Sequence, residues 1–377
     1  MNYSLDDYLA VGVPALSASG LVAPDQIAAM RVTARRLPPS ADFGFECRLS
    51  DDDATLDLGA RLVPDDGTRA AYAGRNPSAR VAPELLRCVE WRRLQAMCAA
   101  WATITDSLHT ELADMWLELD HSELAAEVPM PCVFVKPRAE AKGAPRIIAR
   151  ALGILLHDAD AELDLPPAAL RCFAALPAGA RVMQAGVMAS RPASPIRLVI
   201  EIDAADLRAF LADVDWSGSF AELDRFIDEI EPFGARCVLD VDVRDTVSPR
   251  IGFECYGDER EQPEAALARL LERLGALGLC SPRKASAITR WSGVTGPAST
   301  VAPWPANLTA AALRLGCRSA FLRRLSHFKI VYADGIAPTA KAYFGLSHRW
   351  LKAAPRDGHE SVSGPFASRT KPTLDAD

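Results

Sequence analysis

The side chains able to do chemistry in this chain gather on one face of short alternating segments. In 326–332 (SHFKIVY) and 340–346 (AKAYFGL), period-2 sorting sends Phe328, Ile330, Tyr332, Ala342, Phe344 and Leu346 one way and leaves His327, Lys329, Lys341 and Tyr343 together on the other. The same sorting adds Glu46, Arg48, Asp57 and Arg61, then Trp116, Glu118, Asp120 and Lys136. Two further pairs contribute Gln184, Met188, Arg197 and Glu201, and Asp240, Asp242, Arg250, Glu254 and Tyr256. Cations, carboxylates and aromatic rings on one face form a surface for a charged, partly apolar ligand. Burying an unpaired charge costs roughly several kcal/mol. Such a face must therefore be wet, internally paired or built for a ligand, unless it belongs to an open sheet and meets solvent.

Five hairpins must carry these residues: 43–50 with 55–63, 115–120 with 132–136, 181–190 with 196–202, 237–243 with 250–256, and 326–332 with 340–346. Alternating patterns and turn residues such as those at 51–53 and 333–335 make each pair antiparallel. Helical periodicity fills the intervals, at 83–112, 146–160, 204–214, 220–230, 264–278 and 308–325. With the helices outside, ten strands close into an antiparallel α/β (α+β) barrel of αββα units, a closure that also removes sheet edges. The alternative is two α+β domains divided near residue 175. On the barrel reading, residues 1–40 are a helical lead-in, 41–351 the barrel domain and 352–377 a polar, poorly ordered tail. A short repeat fits this plan: Gly44-Phe45-Glu46-Cys47 returns as Gly252-Phe253-Glu254-Cys255, with Glu on one strand face and Phe and Cys on the other.

The 42 basic and 49 acidic residues leave a net charge of -7, which gives no drive toward nucleic acid or an anionic membrane. No apolar run reaches the roughly 18 residues that a membrane span needs. The first ten residues lack the features of a signal peptide, so a cytoplasmic protein is expected. Nine cysteines without a CxxC pair argue against zinc and disulfides and leave the thiols as small buried groups. Asp240-Val-Asp242 has DxD spacing, which exposed strands also carry, and His157, His327 and His348 are not at metal-ligand spacing. There is no phosphate-binding glycine loop and no serine elbow.

Five αββα-like units, with lysine and tyrosine alternating on paired strands, resemble the aromatic prenyltransferases of the ABBA barrel type. Phe328-Lys-Ile-Val-Tyr332 and Ala340-Lys-Ala-Tyr-Phe344 carry the resemblance, while the second to fourth hairpins lack such pairs. It implies a barrel enclosing the site, with cations holding an allylic diphosphate and tyrosines screening the carbocation left when diphosphate departs. Fixed cations stabilise the leaving group in a secluded site. Aromatic faces attract the allylic cation, and a carboxylate removes the acceptor's proton. Carried onto this chain, the resemblance implies Lys329, Lys341, Arg197 and Arg48 as diphosphate ligands and Tyr343, Tyr256 and Trp116 as the shield. Glu118 or Glu254 becomes the catalytic base. It assigns no metal ligand, although the inward acids could hold Mg²⁺ against phosphate or receive a cationic acceptor. The partners are then an allylic diphosphate and an aromatic or peptide acceptor. The rival class is a non-catalytic barrel that binds a basic peptide or small molecule as an accessory protein in natural-product biosynthesis.

Overall fold

The computed structural model describes residues 3–50, 54–65, 67–138, 144–157, 165–230, 236–256 and 263–352. Alternating sequence produces eleven strands within them: β1 Asp42–Arg48, β2 Leu56–Leu62, β3 Leu112–Leu119, β4 Cys132–Pro137, β5 Arg181–Met188, β6 Ile196–Asp203, β7 Arg236–Val243, β8 Val247–Cys255, β9 Gly293–Thr295, β10 Cys317–Ala333 and β11 Ile336–Lys352. Each of β1 to β7 pairs antiparallel with the next, β8 pairs with β10, and β11 joins β10 to β1. Ten strands thus close into a barrel, and β9 attaches to β10 at Phe321–Arg323 beyond the ring. The open sheet is thereby excluded. Pairing of β4 with β5 carries the sheet across residue 175.

Strand alternation decides what packs outside. In β1, Phe43, Phe45 and Cys47 are buried while the residues between them are not. With Phe253, Phe328 and Phe344 they meet large side chains from the helical layer, Trp91, Trp101, Phe210 and Trp291. Helices supplying that layer include Val89–Trp101, Ala144–His157, Leu207–Asp213, Phe220–Ile230, Pro263–Ala276 and Pro282–Thr289. The first helix, Leu5–Ser19, starts with a Ser4–Asp7 capping box and lays Tyr8 edge-on to Phe321, 5.5 Å between ring centres.

Three stretches differ from the expected pattern. The helix foreseen over 308–325 ends at Leu315, where Gly316 takes φ 61°, and Cys317–Leu325 is strand. Pairing with Phe344–Lys352 and with β9 overrides the helical periodicity there. The helix foreseen over 83–112 is a 3₁₀ turn at Leu85–Arg87, then Val89–Trp101 and Ser107–Glu111, with Leu112 already in β3. Asp106 caps the last of these by accepting from the Leu108 N–H. The interval 280–305 holds the helix Pro282–Thr289, capped by Ser281, as well as β9.

The turn at 51–53 and the tail from 353 onward lie outside the described residues. Among the described residues eight cysteines are free, and Cys47, Cys98, Cys132, Cys172, Cys255 and Cys280 are buried. No helix there is long and apolar enough to cross a membrane.

Candidate active site

The closed ring surrounds a chamber of about 570 Å³. Of the residues implied by the sequence, Trp116, Glu118, Arg197, Glu254, Tyr256, Lys329 and Tyr343 line it. Lys341 lines a small adjoining space at one end of the barrel, with Arg191, Arg197, Asp240, Asp242, Arg250 and Lys329. Arg48 lines neither. Its guanidinium turns to Asp57, 3.6 Å away, and to His121 Nδ1, 3.1 Å away.

Register explains these neighbours. Tyr343 lies opposite Glu46 and Glu46 opposite Asp57, while Lys329 lies between Glu254 and Lys341. Residues directly opposite on a shared face stand close enough to bond. Glu46 accepts from both the Lys341 ammonium and the Tyr343 hydroxyl. Burial alone would raise the Glu46 carboxyl, but Lys341, a hydrogen bond with Asp57 and Lys329 hold it well below the usual range. Its neighbour shifts the other way: burial, then the Glu46 charge, push Asp57 up to about 6.

The cations are matched by acids. Lys329 pairs with Asp240, and Arg197 grips Asp242 with two bonds of 2.7 and 2.9 Å. Arg191 does the same to Asp120 at 3.1 and 3.3 Å, and Arg61 reaches Asp114 at 2.6 Å. Burial, with Arg197 and Lys341 alongside, pushes the Lys329 ammonium down. Arg250 makes no ion pair among the described residues. Burial and then repulsion by Arg197 and Arg191 lower its pKa, which marks this end of the barrel as locally positive.

An aromatic wall faces the cations. The His327 ring lies between Tyr343, at 4.3 Å and 11° between planes, and Tyr256, at 4.7 Å and 28°. Burial lowers the His327 pKa, which favours the neutral imidazole in the middle of the stack. Across the chamber Trp116 packs on Phe134, Met188 and Cys132, an apolar cluster separate from the outer core. Gly186 makes room for it, since a Cβ there would stand 2.4 Å from the Phe134 ring. Burial, then the Glu46 charge, raise Glu118 to about 7, a carboxyl able to hold or take a proton near neutrality. Glu254 accepts from the Tyr256 hydroxyl at 2.8 Å and stands 3.7 Å from His327 Nε2.

The acids do not fit a divalent ion. Both carboxylates of the DxD pair are taken by Lys329 and Arg197, and no group of three His, Cys, Asp or Glu among the described residues is placed to hold a metal.

No family model and no curated protein matches the sequence. Solved structures do resemble it. The apo form of the prenyltransferase PriB superposes with a TM-score of 0.50 at 14% identity, over 93% of this chain and 99% of that one. The fold is that of an ABBA-type prenyltransferase barrel. At TM-scores of 0.48 and 0.49, 5-dimethylallyltryptophan synthase from Streptomyces coelicolor (14% identity, 91% of this chain, 97% of that one) and PriB with L-tryptophan and dimethylallyl thiolodiphosphate (13%, 93% and 99%) add no weight.

Within this ABBA barrel, sequence reasoning placed Glu46 inward but missed its central position. It also passed over Phe134, Arg191 and the role of His327 between two tyrosines. Phe134 shares strand parity with Lys136 and could have been found that way. Arg191 sits in a turn, where alternation says nothing.

Proposed function

We propose that the chain transfers an allylic group from a soluble diphosphate to an aromatic acceptor. The observation that supports this best is one chamber holding Lys329 and Arg197 together with the Tyr256-His327-Tyr343 stack. In this reading the donor's diphosphate sits toward Lys329, Lys341 and Arg197, with Arg191 and Arg250 adding positive potential. The C–O bond breaks and its electron pair leaves with diphosphate. Tyr343, Tyr256 and Trp116 attract the allylic cation and exclude water. The acceptor ring supplies two electrons to the new C–C bond and loses a proton to Glu118, while Glu254 orients it. Arg48 serves by holding Asp57. PriB, whose fold is shared, is itself a prenyltransferase, which fits the reading.

A second reading has its own support. Lys329, Lys341 and Arg197 already carry carboxylate partners, which lowers the positive charge left for a diphosphate, as expected of a non-catalytic barrel that binds a basic peptide or small molecule. Calorimetric titration with dimethylallyl and geranyl diphosphate separates the two. Binding followed by alkylation of tryptophan or a tryptophan-containing peptide supports the enzyme, and no binding with or without Mg²⁺ ends that reading.

A further inference from the structure

At one end of the barrel β4 and β5 separate. Their pairing runs from Cys132 opposite Met188 to Val135 opposite Ala185, yet β4 continues to Pro137 and β5 begins back at Arg181. Two sequence features go with this. Pro137 has no N–H to give the ladder, and the β5–β6 register slips between Val182 and Gln184, leaving Met183 as the extra residue. Beside the parted strands lies a second cavity of about 240 Å³. Phe173, Leu176, Ala180 and Val182 give it apolar walls, and Arg138 and Arg181 also border it. Lys136 and Met183 line both this cavity and the main chamber, so among the described residues only those two stand between the spaces where the strands part.

We infer that the side cavity receives the apolar end of an allylic diphosphate longer than one isoprene unit. This rests on the prenyltransferase reading. Gly186 lies opposite Arg197, and Val182 is four residues nearer the open end of β5, a span of about 13 Å along a strand. A five-carbon chain anchored near Arg197 ends inside the chamber, whereas a ten- or fifteen-carbon chain reaches the side cavity. Apolar walls reward that reach, because each buried methylene is worth a factor of roughly four in affinity.

Titration calorimetry with dimethylallyl, geranyl and farnesyl diphosphate tests the inference on the wild type and on Ala180→Phe and Leu176→Trp, two substitutions that fill the cavity away from the chamber. The wild type is expected to bind geranyl or farnesyl diphosphate about tenfold or more tightly than dimethylallyl diphosphate. Either substitution should remove that advantage and leave dimethylallyl binding within about twofold. Circular dichroism identifies a variant that fails to fold, and the other variant and the wild-type ranking then decide. Dimethylallyl binding with no gain for longer chains overturns the side cavity alone, as does a gain that both folded variants retain. No binding of any of the three overturns the prenyltransferase reading and the side cavity with it.

Discussion

Gly44-Phe45-Glu46-Cys47 in β1 and Gly252-Phe253-Glu254-Cys255 in β8 flank the last hairpin, β1 against β11 and β8 against β10. In both copies Phe and Cys are buried in the outer core, and Glu faces the chamber. From there the two diverge. Glu46 gathers Lys341, Tyr343 and Asp57 around one carboxylate. Glu254 lies opposite Lys329, yet that ammonium goes to Asp240, and Glu254 takes its bond from Tyr256 two residues along its own strand. Identical local sequence therefore fixes the face of a side chain and not its partner. The partner depends on what the neighbouring strands place opposite.

The largest test of that difference is removal of each carboxylate. Glu46→Ala strands a buried ammonium and a phenol and should cost about 3–5 kcal/mol in denaturant unfolding, against about 1–2 kcal/mol for Glu254→Ala. Equal losses would break the distinction.

The next test is pH dependence. Glu118 is raised to about 7 by burial and then by Glu46, with Glu254 a lesser contributor. Its folded value lies above its unfolded value of 4.5, so the folded state holds the extra proton. The stability it contributes is full below about pH 4.5 and is lost as pH rises through about 7, a change of roughly 3 kcal/mol. Glu46→Gln should move the Glu118 titration to lower pH more than Glu254→Gln does, as read from carboxyl NMR shifts. The reverse order would show that Glu254 is the closer electrostatic neighbour.

The two glycines sharpen the contrast. A Cβ on Gly44 would stand 2.9 Å from the Phe344 carbonyl oxygen, which is fixed backbone, whereas on Gly252 it would meet the Lys329 side chain at 2.6 Å. Gly44→Ala should cost about 1–3 kcal/mol. Gly252→Ala meets a side chain rather than fixed backbone, so it should cost less than Gly44→Ala, and it should weaken diphosphate binding by displacing the lysine. A Gly252→Ala protein with unchanged diphosphate affinity counts against Lys329 as a ligand.

The smallest effects concern the phenols. Tyr343→Phe loses a hydrogen bond to a buried carboxylate and should cost about 1.5 kcal/mol. Tyr256, 42% exposed, should cost under about 0.5 kcal/mol as Tyr256→Phe, since water replaces the bond. Thermal melts of the two variants measure this.

Much of the fold and part of the site were legible beforehand. All five hairpins form, and the inward face of the last one, with His327, Lys329, Lys341 and Tyr343, follows from alternation alone. The segment from Cys317 to Leu325 was misread because its strand identity comes from β9 and the far end of β11, which no local window contains. Gly316 was the available signal, since a glycine at positive φ commonly ends a helix. Parity put Arg48 on the inward face, and the resemblance then grouped it with the diphosphate ligands. It lies opposite Lys341, and its guanidinium is directed to Asp57 and His121.

The sequence by itself determined which side chains face inward, because a strand's two-residue period is a property of the backbone and needs no partner. Only the tertiary structure decided which inward groups meet. Closure of β11 on β1 and the shear of ten strands bring Glu46 to Tyr343, Lys329 to Asp240 and His327 between two tyrosines. Those pairings depend on register between strands as many as 297 residues apart in sequence, as Glu46 and Tyr343 are. They set where charge is neutralised, where it is left over and where a proton can rest.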